Sequence, residues 1–163
     1  MKVFFRKVSE KDLKRLNEIV NEPEVARYLT IAPPVPMKAT RDFFNQCKKD
    51  RVRWYCILAD DVIAGSVSLH QKKGKKQEHA ASFGISIARE FWNKGLGDKA
   101  LAFIIRKAKD LRIKRLELQV IAENKRARKL YGKHGFTFEG SRKKSFRIGR
   151  KYCDSTIMAK MLR

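Results

Sequence analysis

The chain divides into segments where apolar and polar residues alternate and segments where apolar residues recur every three to four positions. The first kind of pattern, or a short apolar run, predicts two strands that close the chain and five earlier ones at residues 2–7, 53–59, 62–70, 80–87 and 115–122. The second kind predicts helices that begin after a capping Ser9 and that lie at 24–29, 39–50, 96–111 and 124–135. This order of elements is typical of an α/β or α+β protein built on one sheet.

Three local features refine this prediction. Asp60 and Asp61 form a turn pair between two strands, so those strands are expected to make an antiparallel hairpin. Gly84 lies inside the strand at 80–87, where a glycine often marks a bulge or a close backbone approach. The proline-rich loop 31–36 (IAPPVP) cannot continue a helix, and we expect it to border a substrate site.

Length and composition indicate one domain over residues 1–163, since 43% of residues are hydrophobic and no repeat or linker interrupts the chain. The longest apolar run is too short to cross a membrane, and the N-terminus lacks the apolar core of a signal peptide. The cysteines are too scattered for a zinc site or a disulfide framework: Cys47, Cys56 and Cys153. We therefore expect a cytoplasmic protein without a metal.

The charge of the chain is unusual. Lysine and arginine total 39 against 17 aspartate and glutamate residues, a formal net charge of +22. Such a field attracts polyanions, so RNA, the ribosome or a phosphate-bearing cofactor are candidate partners, and solvated surface lysines are the alternative explanation. The basic clusters at 72–76 (KKGKK) and 142–147 (RKKSFR) are expected to be solvated hairpin tips.

A glycine-rich turn at 91–100 (FWNKGLGDKA) separates a predicted strand from a helix with a wide apolar stripe. The stripe consists of Leu96, Ala100, Leu101, Ile104, Ile105, Ala108 and Leu111. A glycine turn that opens a helix directs several backbone N–H groups at one point and so suits a phosphate. A G-x-G pair alone is a weak indication, because most such pairs only let the chain turn.

Two motifs together resemble a known family. The turn is similar to the acyl-CoA-binding motif of the GNAT family of N-acetyltransferases, whose usual form is Arg/Gln-x-x-Gly-x-Gly/Ala. The stretch 124–140 matches the second motif of that family at five positions: Asn124, Ala127, Tyr131, Gly135 and Phe136. Residues 149–162 resemble the closing strand of a subgroup that acetylates ribosomal-protein N-termini or polyamines. The resemblance implies a mixed, mostly antiparallel sheet of about seven strands, with helices on both faces and a splayed central strand pair.

The resemblance also implies that acetyl-CoA is the co-substrate. The resemblance implies that Lys94 adds positive charge beside the pyrophosphate of acetyl-CoA, and that Gly95 and Gly97 let the backbone approach this pyrophosphate. The Asp98 carboxylate is expected to point away from it. A bulge near Gly84 would splay the central strands, so that residues 85–87 pair with the pantetheine arm. The complete implied set is Ile85, Ser86, Ile87, Trp92, Asn93, Lys94, Gly95, Leu96, Gly97, Asp98, Asn124, Arg126, Ala127 and Lys129.

Specific roles follow for a few of these residues. The N–H group of Ile85 would stabilise the tetrahedral oxyanion, and Asn124 would reach the pantetheine amides. Basic residues after it would meet the nucleotide phosphates: Arg126, Arg128 or Lys129. Tyr131 would protonate the departing thiolate, because a phenol titrates near ~10 and a thiol near ~8.5. The alternative is that Tyr131 is a core aromatic.

The chain departs from the family pattern at two positions. Trp92 stands where the wider family has arginine or glutamine, and Ser82 stands where many relatives carry a glutamate that acts as general base. His70 and His79 lie on or beside strands and could replace that base through a water, although a single histidine is more often structural. His134 ends a helix, where a cation is favoured in any case.

Charge and amine basicity favour a protein N-terminus as the acceptor. A chain of charge +22 repels polyamines, whose amines titrate near ~10 and need a strong base. A protein α-amine titrates near ~7.7–8.0 and is already partly neutral. Polyamines, antibiotics and amino sugars remain alternatives, as does a basic binding module that has lost catalysis. A homodimer is a further possibility.

Overall fold

The structure, a computed structural model, describes residues 1–163. Seven strands form one mixed sheet in the order β1-β2-β3-β4-β5-β7-β6. All neighbours are antiparallel except β4 and β5, which are parallel, so the predicted sheet is confirmed. The strands are β1 (Val3–Lys7), β2 (Val52–Ala59), β3 (Val62–Gln71), β4 (Ala80–Ile87), β5 (Arg115–Ile121), β6 (Thr137–Ile148) and β7 (Lys151–Met161).

Helices cover both faces of the sheet. They are α1 (Leu13–Asn21), α2 (Pro23–Ala26), α3 (Met37–Lys49), α4 (Leu96–Asp110) and α5 (Lys125–Lys133), with single 3-10 turns at Glu10–Asp12 and Arg89–Phe91. Successive side chains of β2 point to opposite faces, so Cys56 packs against Leu16 of α1, whereas Ile57 packs against Leu96 and Ala100 of α4. No helix is both long enough and apolar enough to cross a membrane.

The central strands β4 and β5 separate after three residue pairs. Ala80–Ser82 pair with Arg115–Glu117, and beyond them β5 continues along β7 while β4 continues along β3. The predicted splay is therefore present, but the predicted bulge near Gly84 is wrong, because the register between β3 and β4 runs unbroken from Ala81 to Ile87. The opening arises because each strand follows a different neighbour.

The two basic clusters differ in their surroundings. Residues 72–76 lie in the connection between β3 and β4, as predicted. Residues 142–147 are not a hairpin tip, because β6 extends to Ile148 and the turn follows at 149–150. The strand is interrupted within the cluster, where Lys144 has a φ of 48° and its N–H group donates to Asp154 Oδ1 at 2.8 Å. The Asp154 carboxylate thus stabilises the irregular backbone of β6.

The turn between β2 and β3 is confirmed as a tight hairpin. Asp60 and Asp61 have φ angles of 46° and 66°, the left-handed conformation that the favoured two-residue hairpin turns require. All three cysteines are free thiols.

Candidate active site

The gap between β4 and β5 opens into a groove of about 660 Å³ on the face that α4 and α5 cover. We call this cavity the groove. Fourteen of the fifteen predicted site residues line it, and the exception is Lys94. Those fourteen are Ile85, Ser86, Ile87, Trp92, Asn93, Gly95, Leu96, Gly97, Asp98, Asn124, Arg126, Ala127, Lys129 and Tyr131. The two sequence motifs therefore face each other across one cavity.

The first turn of α4 presents free backbone donors at the groove. Gly95 caps the helix in a left-handed conformation with a φ of 76°, and the first helical bond runs from the Lys99 N–H to the Gly95 carbonyl. The N–H groups of the residues between them lack helical acceptors. The Asp98 carboxylate is turned towards α5, where Lys133 Nζ lies at 2.7 Å and His134 Nε2 at 3.0 Å. These two partners lower the pKa of Asp98. The carboxylate of Asp98 is therefore paired with groups at the end of α5 and not with the N–H groups of its own helix.

Two residues of this turn make contacts that the sequence did not predict. A Cβ atom on Gly97 would lie 3.0 Å from Leu130 Cδ2 of α5, so the absent side chain serves helix packing, and its role in the approach to a phosphate stays a prediction. Lys94 is not among the residues that line the groove, and its Nζ atom lies 5.3 Å from the centre of the Phe91 ring, a cation–π contact. The lysine is exposed and Phe91 itself lines the groove, so the contact of Lys94 with a phosphate stays a prediction.

Trp92 organises positive charge beside the groove. Its Nε1 donates to the Ile87 carbonyl at 2.8 Å, which fixes the indole against the end of β4. The guanidinium carbons of Arg89 and Arg126 lie 4.8 and 4.6 Å from the indole ring centre. Burial, followed by the charge of Arg89, lowers the pKa of Arg126. Two guanidinium groups in contact with one indole form a strong attraction for an anion.

Strand β4 exposes its backbone selectively. The pairs Ala64–Ala88 and Lys72–Ala80 are hydrogen-bonded, and antiparallel pairs alternate, so the N–H and C=O groups of residues 82, 84 and 86 point to β3. The N–H and C=O groups of Ile85 and Ile87 point to the gap left by β5, where the Ile87 carbonyl already accepts from Trp92 Nε1. The predicted backbone pairing of Ser86 with the pantetheine arm does not fit this geometry, because its N–H and C=O groups face β3. Its Oγ lies 3.3 Å from Ser66 Oγ. Ser86 can reach a bound molecule only through its side chain.

Helix α5 supplies the opposite wall. Asn124 caps it, with Oδ1 accepting from the Ala127 N–H at 3.2 Å, so its amide nitrogen is free to donate to another group. Lys129 lines the groove, whereas Arg128 Nη1 donates to the Ala122 carbonyl at 3.1 Å outside it.

Tyr131 packs edge-on against Phe83 of β4. Burial raises the pKa of Tyr131 to about 12, so the hydroxyl remains protonated at physiological pH.

A second cavity of about 610 Å³ lies on the other face of β4, under α1 and α3. We call it the serine cavity because Ser66, Ser68, Ser82 and Ser86 line it. Its remaining polar residues are His70, Thr30 and Thr40, and no Asp, Glu, Lys or Arg side chain lines it. The serine cavity and the groove share six residues, namely Leu29, Thr30, Phe83, Gly84, Ile85 and Ser86. The two spaces therefore meet at the point where β4 leaves β5.

The sequence prediction missed several residues at this junction. Leu29 and Thr30 follow the four-residue helix α2, which is too short to show a hydrophobic period. The proline-rich loop borders the serine cavity, which Ile31, Ala32, Val35 and Pro36 line, and its place beside a substrate site stays a prediction. Arg89 was also missed, although it lies only three residues before Trp92, because the 3-10 turn Arg89–Phe91 was not predicted. No three His, Cys, Asp or Glu side chains come together as a metal site.

Comparison with known proteins agrees with this geometry. A family model described as an acetyltransferase (GNAT) domain matches residues 2–137. The L-amino acid N-acetyltransferase AaaT of Escherichia coli (strain K12) is 26% identical over 162 residues, which cover 98% of this chain and 98% of the relative.

Two solved structures have the same fold. The ribosomal-protein-alanine N-acetyltransferase from Brucella melitensis superposes with a TM-score of 0.88 at 21% identity, over 98% of this chain and 99% of that one. The spermidine N-acetyltransferase from Vibrio cholerae, solved with CoA and spermine, has a TM-score of 0.89 at 23% identity, over 98% of this chain and 95% of that one.

The family match spans both the splayed strands and the glycine turn, and the free N–H groups of α4 fit the diphosphate of a coenzyme. The sequence resemblance, the fold and the co-substrate predicted from it are therefore confirmed. The chain belongs to the GNAT family and is an acetyl-CoA-dependent N-acetyltransferase.

Proposed function

We propose that the protein transfers the acetyl group of acetyl-CoA to a primary α-amine attached to a small or apolar residue, with a protein N-terminus as the preferred acceptor. The observation that carries this proposal is the lining of the serine cavity, which is mostly apolar and contains no charged side chain. An α-amine enters such a space as the neutral base, the form that attacks a thioester. A peptide behind it can extend past the loop at 31–36.

The same lining argues against polyamines. Each further ammonium group of a polyamine would need a carboxylate partner, because burying an unpaired charge is costly. The serine cavity offers none, and Ser82 stands where many relatives place a glutamate. The charge of +22 opposes the approach of a free polycation as well.

Each wall of the groove has a part in the proposed reaction. The free N–H groups of α4 and the two guanidiniums at Trp92 bind the phosphates, and the open edge of β4 pairs with the pantetheine amides. The Ile85 N–H, which points into the gap, stabilises the oxyanion as the amine attacks. Tyr131 then protonates the thiolate that leaves.

A free apolar L-amino acid is the second candidate acceptor. It is favoured by the full-length similarity to a relative named as an L-amino acid N-acetyltransferase. The α-carboxylate of an amino acid would find hydroxyl groups in the serine cavity but no cation. This lack of a counter-charge favours a peptide, whose α-amine is followed by an uncharged amide.

The basic surface supports an acceptor on a polyanionic particle such as the ribosome. The excess positive charge lies outside the serine cavity, so it is free to attract a partner without interfering with the amine. We expect the KM for a ribosome-borne N-terminus to rise steeply between 50 and 200 mM salt, whereas the KM for the free peptide changes little. Equal salt dependence for both would contradict a ribosomal contact.

The deciding experiment is a thiol-release assay with acetyl-CoA and four acceptors. These are a peptide with an N-terminal alanine, the same peptide with a blocked N-terminus, L-phenylalanine and spermidine. We expect kcat/KM to be highest for the free peptide, at least tenfold above spermidine, and the blocked peptide to be inert. A higher kcat/KM for spermidine at physiological salt would overturn the proposal, and a higher value for L-phenylalanine would favour the second candidate.

A further inference from the structure

The serine cavity contains a single titratable side chain. Among the residues that line it, His70 alone has a side chain whose ordinary pKa lies near neutral pH. His70 lies near the end of β3 directly opposite Ser82 of β4. Its Nε2 atom is 2.8 Å from Ser68 Oγ, two residues along the same strand face. The histidine and the serine hydroxyl thus form a connected pair inside the serine cavity.

The hydroxyl of this pair lies at the junction of the two cavities. Ser68 is the cross-strand partner of Gly84, which lines both the groove and the serine cavity. A Cβ atom on Gly84 would be 3.4 Å from Ser68 Oγ, so no side chain covers the hydroxyl from β4. An amine that attacks a thioester at this junction has the Ser68 hydroxyl beside it.

We propose that Ser68 and His70 form the path by which the acceptor nitrogen loses its proton. This inference rests on the proposed acetylation of a neutral amine at the junction. As the C–N bond forms, the nitrogen gains positive charge and passes one proton to Ser68 Oγ, whose own proton moves to His70 Nε2. The C–S bond then breaks, and the thiolate takes the proton of Tyr131. The imidazolium releases its proton to water, and water returns one to the tyrosinate.

The surroundings of His70 keep it able to accept a proton. Burial lowers its pKa, so the imidazole is neutral at physiological pH. The ring of Phe43 from α3 lies 5.8 Å away, and β2 contributes Trp54, and neither element places a charged side chain in the lining of the serine cavity. The nearest acidic residue in register is Glu117 on β5, beyond Ser82, and it is ion-paired with Lys72 and Arg115.

The experiment compares two amines of similar shape and different basicity. Phenylalanine amide carries an α-amine that titrates near the ~7.7–8.0 of a peptide, whereas 2-phenylethylamine is an alkylamine near the ~10.4 of lysine. After the attack, the more basic nitrogen holds its proton more firmly. Its acetylation is therefore expected to depend more strongly on the proton path through Ser68 and His70. We expect His70→Gln to lower kcat about 10²-fold with 2-phenylethylamine. With phenylalanine amide, the factor by which kcat falls is expected to be at least five times smaller.

Two further measurements separate proton transfer from a structural effect. The wild-type kcat is expected to fall as pH drops through a pKa below 6.5, and this limb is expected to be absent in His70→Gln. Ser68→Ala is expected to show the same dependence on amine basicity as His70→Gln. His79, the other histidine that the sequence offered as a base, is exposed and lines neither cavity, so His79→Gln is the matched control and is expected to keep wild-type rates and the wild-type pH profile.

The outcomes distinguish this inference from the proposed function. Equal losses on both amines, or an unchanged pH limb in His70→Gln, would overturn the proton path while the acceptor assignment stands. A wild type that prefers spermidine would overturn the proposed acceptor. The fall of kcat at low pH, compared between wild type and His70→Gln with spermidine as the acceptor, would then still decide the role of His70.

Discussion

Gly97 of α4 packs directly against Leu130 of α5, and a Cβ atom at residue 97 would lie 3.0 Å from Leu130 Cδ2. Gly95 differs, because nothing lies within 4 Å of its Cβ position while its φ is 76°. The two glycines of the turn therefore have different tasks. Gly95 lets the chain enter the helix, and Gly97 lets α5 approach closely enough to form the wall of the groove.

Gly97→Val is expected to weaken acetyl-CoA binding by displacing α5, and to lower the free energy of unfolding by about 1–3 kcal/mol through overpacking. Gly95→Ala is expected to cost about 1–2 kcal/mol from left-handed strain alone. Calorimetry with acetyl-CoA and thermal unfolding measure both effects. The double variant Gly97→Val/Leu130→Ala restores space, so it is expected to recover part of the affinity. If it recovers none, contact with Leu130 is not the cause.

Arg126 is expected to hold a phosphate of the co-substrate. Its guanidinium lies 4.6 Å from the Trp92 ring centre and forms no ion pair, whereas Arg128 on the same helix is bound to a backbone carbonyl outside the groove. A hydrogen bond to a charged group contributes about 1.5–3 kcal/mol, so Arg126→Gln is expected to raise the Kd for CoA roughly 10- to 100-fold. Arg128→Gln is the matched control and is expected to leave the Kd unchanged. Equal effects would mean that only net charge matters.

Asp12 is expected to make folding sensitive to acid. The buried carboxylate accepts from Arg6 Nη1 and Nη2 at 2.7 and 2.8 Å and from the Ser9 N–H at 2.8 Å. These bonds, above all those of Arg6, hold the pKa of Asp12 well below its usual range. The folded-state pKa is below the unfolded one, so this stabilisation is complete above about pH 5 and is lost as pH falls below about 4.

Asp12→Asn is expected to lower the free energy of unfolding at pH 7 by about 1–3 kcal/mol, because Arg6 is 36% exposed and can turn to water. Urea unfolding at pH 7 and pH 3 checks this. The difference in stability between wild type and variant is expected to shrink at pH 3, because the carboxyl group of the unfolded chain is then mostly protonated while that of the folded protein stays ionised. A constant difference would show that the side-chain charge contributes nothing.

The sequence predicted those parts of the site that follow from local pattern. The glycine turn, the helix predicted at 124–135 and the stripe of α4 depend on residues close together in the chain, and each lies where it was expected. The hairpin at Asp60 and Asp61 followed from turn chemistry for the same reason.

The remaining features depend on contacts between distant segments. The serine cavity is formed by alternate residues of β3 and β4 with α1 and α3, so no single segment carries its pattern. Lys94 was assigned to the phosphates from its place in the turn, and the contact of its side chain with the Phe91 ring was not foreseen. The bulge at Gly84 was inferred from a glycine in a strand, whereas the strands separate because each has another partner.

Tyr131→Phe is expected to lower kcat roughly 10²–10⁴-fold without weakening acetyl-CoA binding, because it removes the proposed proton donor and keeps the ring. The ring packs against Phe83 and Phe136, with centres 5.8 and 6.0 Å apart, and phenylalanine preserves both contacts. Stopped-flow kinetics and calorimetry measure kcat and the Kd for acetyl-CoA separately. Tyr28→Phe, at the other wall of the groove, is the matched control and is expected to keep the wild-type kcat.

The pH dependence of kcat tests the same role. Burial raises the pKa of Tyr131 to about 12, so the hydroxyl stays protonated throughout the range in which the protein is assayed. The wild-type kcat is therefore expected to show no fall between pH 8 and 10 that depends on this residue. A fall in that range that Tyr131→Phe abolishes would mean that the tyrosine ionises far more easily than its burial allows. A near-normal kcat in the variant would instead make Tyr131 a packing residue and water the acid.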